Sequence, residues 1–419
     1  MGGSSNLAPT NYVGPRGPLE RVLCRYLYRL MIASKRIAID IDIDEETERC
    51  DAEFILAPPP FWIAVRILIA PNLWVGESYV SGHWYLKKGR LTDFLDVIQR
   101  EAPPIFRWYY QFTAALRGVR YYLSQYLLNA HYTRRVRQHY EVDSKIYEMI
   151  LDPEMIYTCA FFSYVDQDLQ AAQQNKLSVA IRRLELPPCS PKILDIGCGW
   201  GATARAIVRS HPNAEVCGLS ISESQINWAK ARDASVLTPD QRQRIEYRAE
   251  DYVDHRCIGC YDSVIVIGMI EHVGLGGYPT FFRSLYEFLK PGGTALIHTI
   301  VSPGPAEPTN RWIDKYIFAG GYSPSISELV SAIEGLPFQI TGLYLHEPNN
   351  YRRTIECWLA NFISNECPAK RYLALEGESE EEIACFVRTW FFYLSGVRNM
   401  FSDADPRSHQ VVQACIKKK

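Results

Sequence analysis

Residues 192–204 constrain the fold of this chain more than any other stretch. They read Lys-Ile-Leu-Asp-Ile-Gly-Cys-Gly-Trp-Gly-Ala-Thr-Ala, so a short apolar run leads into Asp195 and then into glycines at alternate positions, Gly197, Gly199 and Gly201. The pattern predicts a buried parallel strand, a tight turn and the start of a helix. Because glycine leaves no side chain between the backbone and a ligand, the turn predicts a small-molecule site at the carboxyl end of the strand.

The spacing of these glycines distinguishes the turn from two other nucleotide-binding motifs. Gly-x-Gly-x-Gly is not the dinucleotide pattern Gly-x-Gly-x-x-Gly, and no Lys followed by Ser or Thr marks a phosphate loop. Together with the preceding Asp195, the segment resembles the first motif of the S-adenosylmethionine-dependent methyltransferases. The alternative is a glycine-rich turn in some other doubly wound domain.

From residue 193 onward, predicted strands and helices alternate along the chain. Strands are predicted at residues 193–195, 215–219, 245–248, 261–268 and 294–300, and helices at residues 203–210, 224–231 and 278–289. This alternation is typical of a doubly wound α/β domain with a parallel sheet. A chain of 419 residues that is 47% hydrophobic has room for this domain and a second, smaller one.

Polar residues follow the second and third predicted strands, where a nucleoside would lie. Ser220, Ile221 and Gln225 follow the second strand, at the position expected for the ribose hydroxyls. Asp251 follows the third strand, where it could hold an adenine amino group. The alternative is that such residues cap helices, since serine is a preferred N-cap type.

Two further titratable residues fall at the same edge of the predicted sheet. Glu271 and His272 follow the fourth strand, and they form either an acid–base element or a polar network. His298 lies inside the apolar fifth strand, where a histidine is usually a hydrogen-bonded core residue. In this strand it would also point toward the cofactor crevice, which favours a functional role.

The N-terminal third of the sequence predicts a separate module with few candidate catalytic residues. Residues 1–18 are rich in Gly, Ser, Pro and Asn and predict a flexible tail without an apolar signal sequence. Residues 19–101 predict a small α+β domain, with helices at 21–34 and 91–100, a strand at 37–44 and an apolar segment at 61–70. Glu77 and His83 in this module are expected to have packing or turn roles.

Residues 102–138 predict a basic, aromatic helical linker. The stretch from 102 to 140 contains no Asp or Glu but has six arginines interleaved with Phe, Trp and Tyr residues. Arginines and interfacial rings suit an anionic lipid surface, which predicts recruitment of this protein to membranes. RNA binding is one alternative, and an interdomain linker with solvated arginines is another.

The cysteine content and the hydropathy indicate the cellular compartment of the protein. No apolar stretch is long enough and free enough of proline to span a bilayer. Cys257 and Cys260 lack a second pair, so we expect no zinc site. The twelve scattered cysteines favour reduced thiols in a cytoplasmic protein that associates peripherally with membranes.

With these residues in place, the chain resembles the cyclopropane fatty acid synthase family of methyltransferases. The matching stretches are Gly76-Glu77-Ser78-Tyr79, His139-Tyr140, residues 151–160, Ala172-Gln173 with Lys176, residues 195–201, residues 269–274, His298-Thr299-Ile300, residues 312–318, and Tyr351 with Thr354. The resemblance implies a Rossmann-like class I methyltransferase domain at residues 139–419, preceded by a lipid-recruiting domain at residues 19–101. It also implies that Tyr157 and Thr158 contact the S-adenosylmethionine, and that the protein is a possible homodimer.

The resemblance implies methyl transfer to a cis double bond of an unsaturated phospholipid acyl chain, followed by deprotonation to a cyclopropane. In the family a bound bicarbonate ion accepts the proton. The positions that hold it match the backbone of Cys159 and Ile300 and the side chains of Glu271, His298 and Tyr351. The rings of Tyr316 and Phe318 are either aids to the carbocation or packing residues.

The sequence departs from the family pattern at a few positions. Thr158 replaces the usual serine beside the cofactor, and Ser144 and Val397 replace a family asparagine and a family cysteine. Two alternatives therefore stay open beside cyclopropanation. One is C- or N-methylation of another hydrophobic metabolite without ring closure, and the other is a non-catalytic lipid-binding protein.

Overall fold

The structure is a computed structural model of the full chain. It describes residues 8–9, 12–32, 34–40, 52–105, 108–109, 112–113, 116, 118–119, 144–304, 307–402 and 408–419. The chain divides into two compact units. The first comprises Met1–Leu116, Asn310–Ile317 and Trp358–Met400, and the second comprises Arg117–Thr309, Phe318–Cys357 and Phe401–Lys419. The division predicted near residue 138 was contiguous in sequence, whereas these units are not.

The second unit contains a seven-stranded sheet with the order β11-β12-β8-β7-β4-β5-β6. Its strands are β4 (Lys192–Ile196), β5 (Glu215–Ser220), β6 (Ile245–Ala249), β7 (Tyr261–Ile267), β8 (Leu289–Val301), β11 (Phe338–His346) and β12 (Gln410–Lys418). Strands β4 to β8 pair in parallel, whereas β12 is antiparallel to both β8 and β11. The predicted doubly wound α/β class is confirmed.

The parallel strands are buried on both faces of the sheet. Leu194, Val264 and Ile297 belong to one hydrophobic core, and their neighbours Ile193, Ile265 and Leu296 belong to another. Successive side chains point to opposite faces of a strand, so two cores on alternate residues require cover on both sides. The α-helices described in this unit are Ser144–Ile150, Leu169–Arg183, Ala202–Ser210, Glu223–Val236, Pro239–Gln243, Tyr278–Phe288, Ile326–Glu334 and the part of helix Pro348–Ser364 up to Cys357.

All five strands predicted after residue 193 are present, and their bounds shift by a few residues. The fifth predicted strand, at residues 294–300, is longer in the structure because β8 begins at Leu289. The sequence analysis did not predict β11, β12 or the helices Pro348–Ser364, Glu366–Leu375 and Glu380–Arg398. Two short strands, β9 (Glu307–Pro308) and β10 (Tyr322–Ser323), pair with each other.

The first unit combines helices with a three-stranded sheet of order β1-β2-β3. Its strands are β1 (Ile37–Ile39), β2 (Phe54–Ala57) and β3 (Tyr85–Lys88), and its helices are Pro18–Met31, Phe61–Ile69, Pro71–Val80, Leu91–Arg100, Arg311–Tyr316, Glu366–Leu375 and Glu380–Arg398. The helix predicted at residues 91–100 is confirmed. Half of the predicted tail, strand residues 41–44 and all six arginines of the predicted linker lie outside the described residues.

Helix Glu380–Arg398 packs within this unit on the helix Pro71–Val80. Arg388 donates hydrogen bonds to the carbonyl oxygens of Tyr79 and Trp84. Helix Arg311–Tyr316 also packs on Pro71–Val80, and a Cβ atom added at Gly76 would lie 2.5 Å from Trp312 Cδ1, so this second contact needs glycine at that position. The N-terminal α+β module is therefore completed by residues from the C-terminal half of the chain.

The structure corrects one expectation about cysteine. Cys257 and Cys260 form a disulfide, so the prediction that all thiols are reduced is wrong for this pair. Across the described ranges, no helix combines the length and the apolar character needed to cross a bilayer.

Candidate active site

The glycine turn follows β4 as the sequence predicts. Gly199 has φ of +53°, a left-handed conformation that glycine adopts without strain. A Cβ atom added at Gly199 would meet no protein atom within 4 Å. The amides of Gly197 and Cys198 both donate to the Leu219 carbonyl oxygen at 2.9 Å, which ties the turn to β5. The turn therefore presents bare backbone to open space.

That open space is a cavity of about 420 Å³, which we call the cofactor cavity. It lies at the carboxyl ends of β4, β5 and β7, where open α/β sheets bind ligands. Nine of the predicted cofactor-binding residues line it: Tyr157, Thr158, Asp195, Gly197, Gly199, Ser220, Ile221, Gln225 and Asp251. Gly201 does not line it and instead forms the N-cap of helix Ala202–Ser210.

Of the polar residues after β5 and β6, some line the cofactor cavity and others stabilise a helix end or a turn. Ser222 caps helix Glu223–Val236 by accepting from the Gln225 amide at 3.3 Å. Ser220 donates to Gln225 Oε1 at 3.0 Å, and both side chains line the cofactor cavity. Asp251 accepts a hydrogen bond from the Val253 amide at 3.2 Å, so its carboxylate stabilises the turn after β6.

Asp195 and Lys176 place two buried titratable groups beside the cofactor cavity. Asp195 is 1% exposed, and its Oδ2 atom has no hydrogen-bond partner within the part of the chain that the structure describes. Burial raises the pKa of Asp195 to about 7 and lowers the pKa of Lys176 to about 8. An unpartnered buried carboxyl suits a cationic group of a bound ligand.

Lys176 was not among the predicted site residues, although it stands in a stretch that matches the family. Its Nζ atom donates to Thr158 Oγ1 at 2.9 Å. One helical turn earlier, Gln173 donates to the carbonyl oxygens of Ile156 and Thr158 at 3.3 Å and 2.8 Å. The i, i+3 spacing of these two polar residues in an otherwise apolar helix face was the signal that could have identified them. Together they fix the backbone that borders the cavity.

A second group of predicted residues assembles around Glu271. This carboxyl lies in the short 3-10 helix Ile270–His272, and its Oε1 atom accepts from the Ile300 amide at 2.8 Å. Its Oε2 atom is buried without a hydrogen-bond partner among the described residues. Burial raises the pKa of Glu271. One carboxyl oxygen is therefore anchored to β8, and the other remains as a buried acceptor.

His298 lies on β8 two residues before Ile300, so both residues face the same side of the strand. The side chain is 2% exposed, and its Nδ1 atom is 3.2 Å from Gln413 Nε2. Burial, followed by the charge of Lys176, holds the pKa of His298 well below its usual range. The imidazole is therefore neutral at physiological pH.

The remaining predicted catalytic residues pack beside these two. Cys159, Ile300 and Tyr351 share a hydrophobic cluster with Phe161, whose ring centroid lies 5.7 Å from that of His298. Burial raises the pKa of the Cys159 thiol, so it is not a nucleophile at neutral pH. We call Glu271, His298, Ile300, Cys159 and Tyr351 the base cluster.

The base cluster does not line the cofactor cavity but adjoins it along the chain. Thr158 lines the cavity and precedes Cys159, while Met269 and His272 line it on either side of Glu271. Burial lowers the pKa of His272 to about 4, so this residue is neutral as well. The structure thus brings all five predicted catalytic residues together next to the predicted cofactor site.

The two aromatic residues weighed for cation stabilisation have different surroundings. Phe318 stacks on Tyr157 at a centroid distance of 6.0 Å and lies 5.7 Å from the ring of His272. Tyr316 belongs to the first unit, where its hydroxyl donates to Glu77 Oε2 at 2.8 Å. Phe318 is therefore placed beside two cavity-lining residues, whereas the hydroxyl of Tyr316 binds a structural carboxylate.

The fold and the cavity define a class I S-adenosylmethionine-dependent methyltransferase. The backbone cradle at Gly199 leaves the space that a nucleoside needs, and the buried Asp195 carboxyl suits a cationic ligand. The model of the mycolic acid cyclopropane synthetase family matches residues 129–412. The chain belongs to this family, which confirms the resemblance found in the sequence.

Named relatives span most of the chain. The cyclopropane-fatty-acyl-phospholipid synthase of Escherichia coli is 30% identical over 83% of this chain and 84% of its own length. Cyclopropane mycolic acid synthase 3 of Mycobacterium tuberculosis is 30% identical over 64% of this chain and 91% of its own length. The structure of mycolic acid cyclopropane synthase CmaA1 complexed with SAH and CTAB is 27% identical, with a TM-score of 0.59 over 68% of this chain and 98% of that one.

Proposed function

We propose that this enzyme transfers the methyl group of S-adenosylmethionine to a cis double bond of an unsaturated phospholipid acyl chain and closes a cyclopropane ring. The main support is the Oε2 atom of Glu271, which is buried without a hydrogen-bond partner among the described residues. The Ile300 amide holds this carboxyl in place through Oε1, beside the cofactor cavity. A buried acceptor that is fixed in place suits the removal of a proton after methyl transfer. Loss of the proton from the new methyl group closes the ring, whereas loss from a neighbouring carbon would leave a methylated alkene.

The reaction explains why the base must be enclosed. A carbon–carbon bond forms between the methyl group and the alkene, the carbon–sulfur bond breaks, and a carbocation remains on the acyl chain. A C–H bond of the new methyl group then breaks, its electron pair closes the ring and its proton leaves to a base. Because any nucleophile would capture the carbocation, the pocket must exclude water.

The base cluster is suited to hold a small anion as that base, and we propose bicarbonate. Bicarbonate bound there would supply a weakly nucleophilic proton acceptor. Its hydroxyl could donate to Glu271 Oε2, and His298 and Tyr351 could donate hydrogen bonds to its oxygens. The Ile300 amide already donates to Glu271, so Ile300 would help to hold the bicarbonate indirectly, by fixing the Glu271 carboxyl. Cys159 would contribute its backbone, because its thiol is buried and neutral.

The range of the matches supports a phospholipid substrate. The E. coli relative, whose name specifies a fatty-acyl phospholipid, matches 83% of this chain. The mycobacterial relative, whose name specifies mycolic acid, matches 64%. The longer match to the E. coli relative supports a role for the N-terminal unit in acting on a membrane lipid.

Recruitment to the membrane is part of this proposal. On helix Pro18–Met31, Leu19, Val22 and Tyr26 are 73%, 47% and 68% exposed, while Cys24 and Tyr28 are buried. The exposed residues recur at i, i+3 and i+7, so one face of the helix is apolar and open. With the flanking arginines of the same helix, this face suits an anionic lipid surface.

The reaction is tested by mass spectrometry of lipids from cells that express the chain and are fed methyl-labelled methionine. We expect a gain of one CH2 without a remaining double bond, with ring protons in the NMR spectrum. A gain of one CH2 with a retained alkene would instead establish methylation without closure. Absence of labelled lipid would contradict the lipid substrate and direct the search to soluble hydrophobic acceptors.

Membrane recruitment is tested separately by sedimentation with vesicles of anionic or neutral phospholipid. We expect Val22→Glu to weaken binding to anionic vesicles, because it places a like charge on the apolar face. Leu375→Glu is the matched control, since Leu375 is 83% exposed on a different helix. Equal binding to both vesicle types that does not respond to salt would contradict the electrostatic part of the proposal.

A further inference from the structure

Behind His298 lies a line of polar side chains that the proposed reaction does not use. Gln413 is fully buried on β12 and pairs directly with His298 across the antiparallel ladder. Beyond it, Arg183 Nη1 donates to Gln413 Oε1 and lies 3.1 Å from His346 Nε2. Gln413 and His298 are buried, which is unfavourable unless their hydrogen bonds are satisfied, so the arrangement restricts which atoms can donate.

The orientation of the Gln413 amide follows from the chemistry of arginine. A guanidinium has N–H donors and no acceptor, so the atom of Gln413 that faces Arg183 must be the carbonyl oxygen. The amide nitrogen must then face His298. The assignment of oxygen and nitrogen therefore rests on the partner and not on the shape of the amide, which is the same for both orientations.

The amide orientation determines the tautomer of the imidazole. Gln413 Nε2 can only donate, so His298 Nδ1, at 3.2 Å, must accept and carry no proton. A neutral imidazole has a single N–H group, which then lies on Nε2. Burial, and the positive charges of Lys176 and Arg183, favour this neutral form.

We propose that Gln413 and Arg183 are positioning residues that hold His298 in the Nε2–H tautomer, so that it donates a hydrogen bond into the base cluster. The purpose of this device rests on the proposed function. Glu271 Oε2 offers an acceptor, and His298 Nε2–H would offer a donor, which together match the hydroxyl and the charged oxygen of bicarbonate. The opposite tautomer would direct a lone pair at the anion.

The tautomer can be read directly by nitrogen-15 NMR of histidine-labelled protein, without substrate. Protonated and unprotonated ring nitrogens resonate in separate regions, and the His298→Asn variant identifies the signals of His298. We expect wild-type protein to show a protonated Nε2 and an unprotonated Nδ1. Gln413→Met, of similar length but without an amide, should give a mixture of tautomers. Gln339→Leu on the exposed edge strand β11 is the control and should leave the signals unchanged.

Kinetics then measure what the tautomer contributes. Gln413→Met should lower kcat by about 10- to 100-fold, because mutation of outer-shell partners has effects of this size. KM for the lipid and the Kd of S-adenosylmethionine should change by less than about two-fold. Arg183→Leu leaves Gln413 free to rotate and should give a smaller loss of the same kind. If Arg183 acts through Gln413, the double variant should be no worse than Gln413→Met alone.

The outcomes separate this inference from the proposed reaction. A wild-type signal from Nδ1–H would overturn the tautomer assignment, and additive losses in the double variant would overturn the role of Arg183 through Gln413. Both outcomes would leave cyclopropanation untouched. Conversely, an Nε2–H signal in a protein whose product retains its alkene would support the assignment and contradict the ring closure. Should Gln413→Met fail to fold, Arg183→Leu provides the same spectroscopic test.

Discussion

The cofactor cavity and the base cluster lie in the same unit but are built in different ways. The cavity is bordered by the glycine turn and by residues at the carboxyl ends of neighbouring parallel strands. The base cluster joins residues as far apart as Cys159 and Tyr351, with Glu271 held by the Ile300 amide and His298 beside Gln413 of β12. Ligand binding and proton removal should therefore respond to different mutations.

The largest separation is expected for Glu271→Gln. The amide oxygen can still accept from Ile300, but the carboxyl proposed to hold the bicarbonate is lost, so kcat should fall by about 10²- to 10⁴-fold, the range for loss of general-base catalysis. Binding of S-adenosylmethionine, measured by calorimetry, should not change, because Glu271 does not line the cavity. Glu334→Gln on an exposed helix end is the control. Unchanged lipid turnover would refute the role of Glu271.

Gly199→Ala should give the reverse pattern. The new methyl group would meet no protein atom but would occupy space needed by the cofactor, so we expect a Kd about 10- to 100-fold higher, as overpacking costs about 1–3 kcal/mol. Gly292→Ala is the matched control, with φ of +75° and open space away from the cavity. Both variants should lose similar unfolding free energy, about 1–2 kcal/mol. Equal Kd values for the two would show that Gly199 does not contact the ligand.

The affinity for S-adenosylmethionine should change about tenfold with pH, through a residue of the cofactor cavity and not of the base cluster. With its pKa raised to about 7, Asp195 is mostly protonated near pH 6 and mostly ionised near pH 8. Only the ionised form attracts a cation, so affinity for S-adenosylmethionine should rise about tenfold over this interval. Loss of the Lys176 proton near pH 8 acts in the same direction, because it removes repulsion.

Asp195→Asn should flatten the lower part of that profile, and Glu271→Gln should leave the profile unchanged. Isothermal titrations across the pH range, in buffers of equal ionic strength, provide the measurement. A profile that persists in Asp195→Asn would show that another group controls binding.

Thr158→Val has the smallest expected effect and acts on both regions. It removes the acceptor of the Lys176 ammonium while keeping the shape of the side chain. Loss of one hydrogen bond costs about 1 kcal/mol, so Kd and kcat should each change by about fivefold. Thr389→Val in helix Glu380–Arg398 is the control, since its hydroxyl bonds only within that helix. A change confined to Kd would mean that Thr158 belongs to the cavity alone.

Local sequence patterns predicted the cofactor cavity well. The glycine turn after β4 and the polar residues after β5 and β6 are where the sequence analysis placed them, because strand ends and turns depend on neighbours a few residues away. Gly201 is the exception, as its helix-capping position directs it away from the cavity. Glu271 and His298 were recognisable as polar residues in apolar surroundings, and the resemblance to the family supplied their proposed roles.

The sequence by itself determined the α/β class, the parallel strands and the residue types needed for a methyltransferase. Only the tertiary structure decided which distant segments meet. Residues 358–400 join the N-terminal unit, Ile300 donates its amide to Glu271, and β12 enters the sheet beside β8. That last pairing sets Gln413 against His298. Strand register between segments more than 100 residues apart is fixed by how whole faces pack, and no local pattern encodes it.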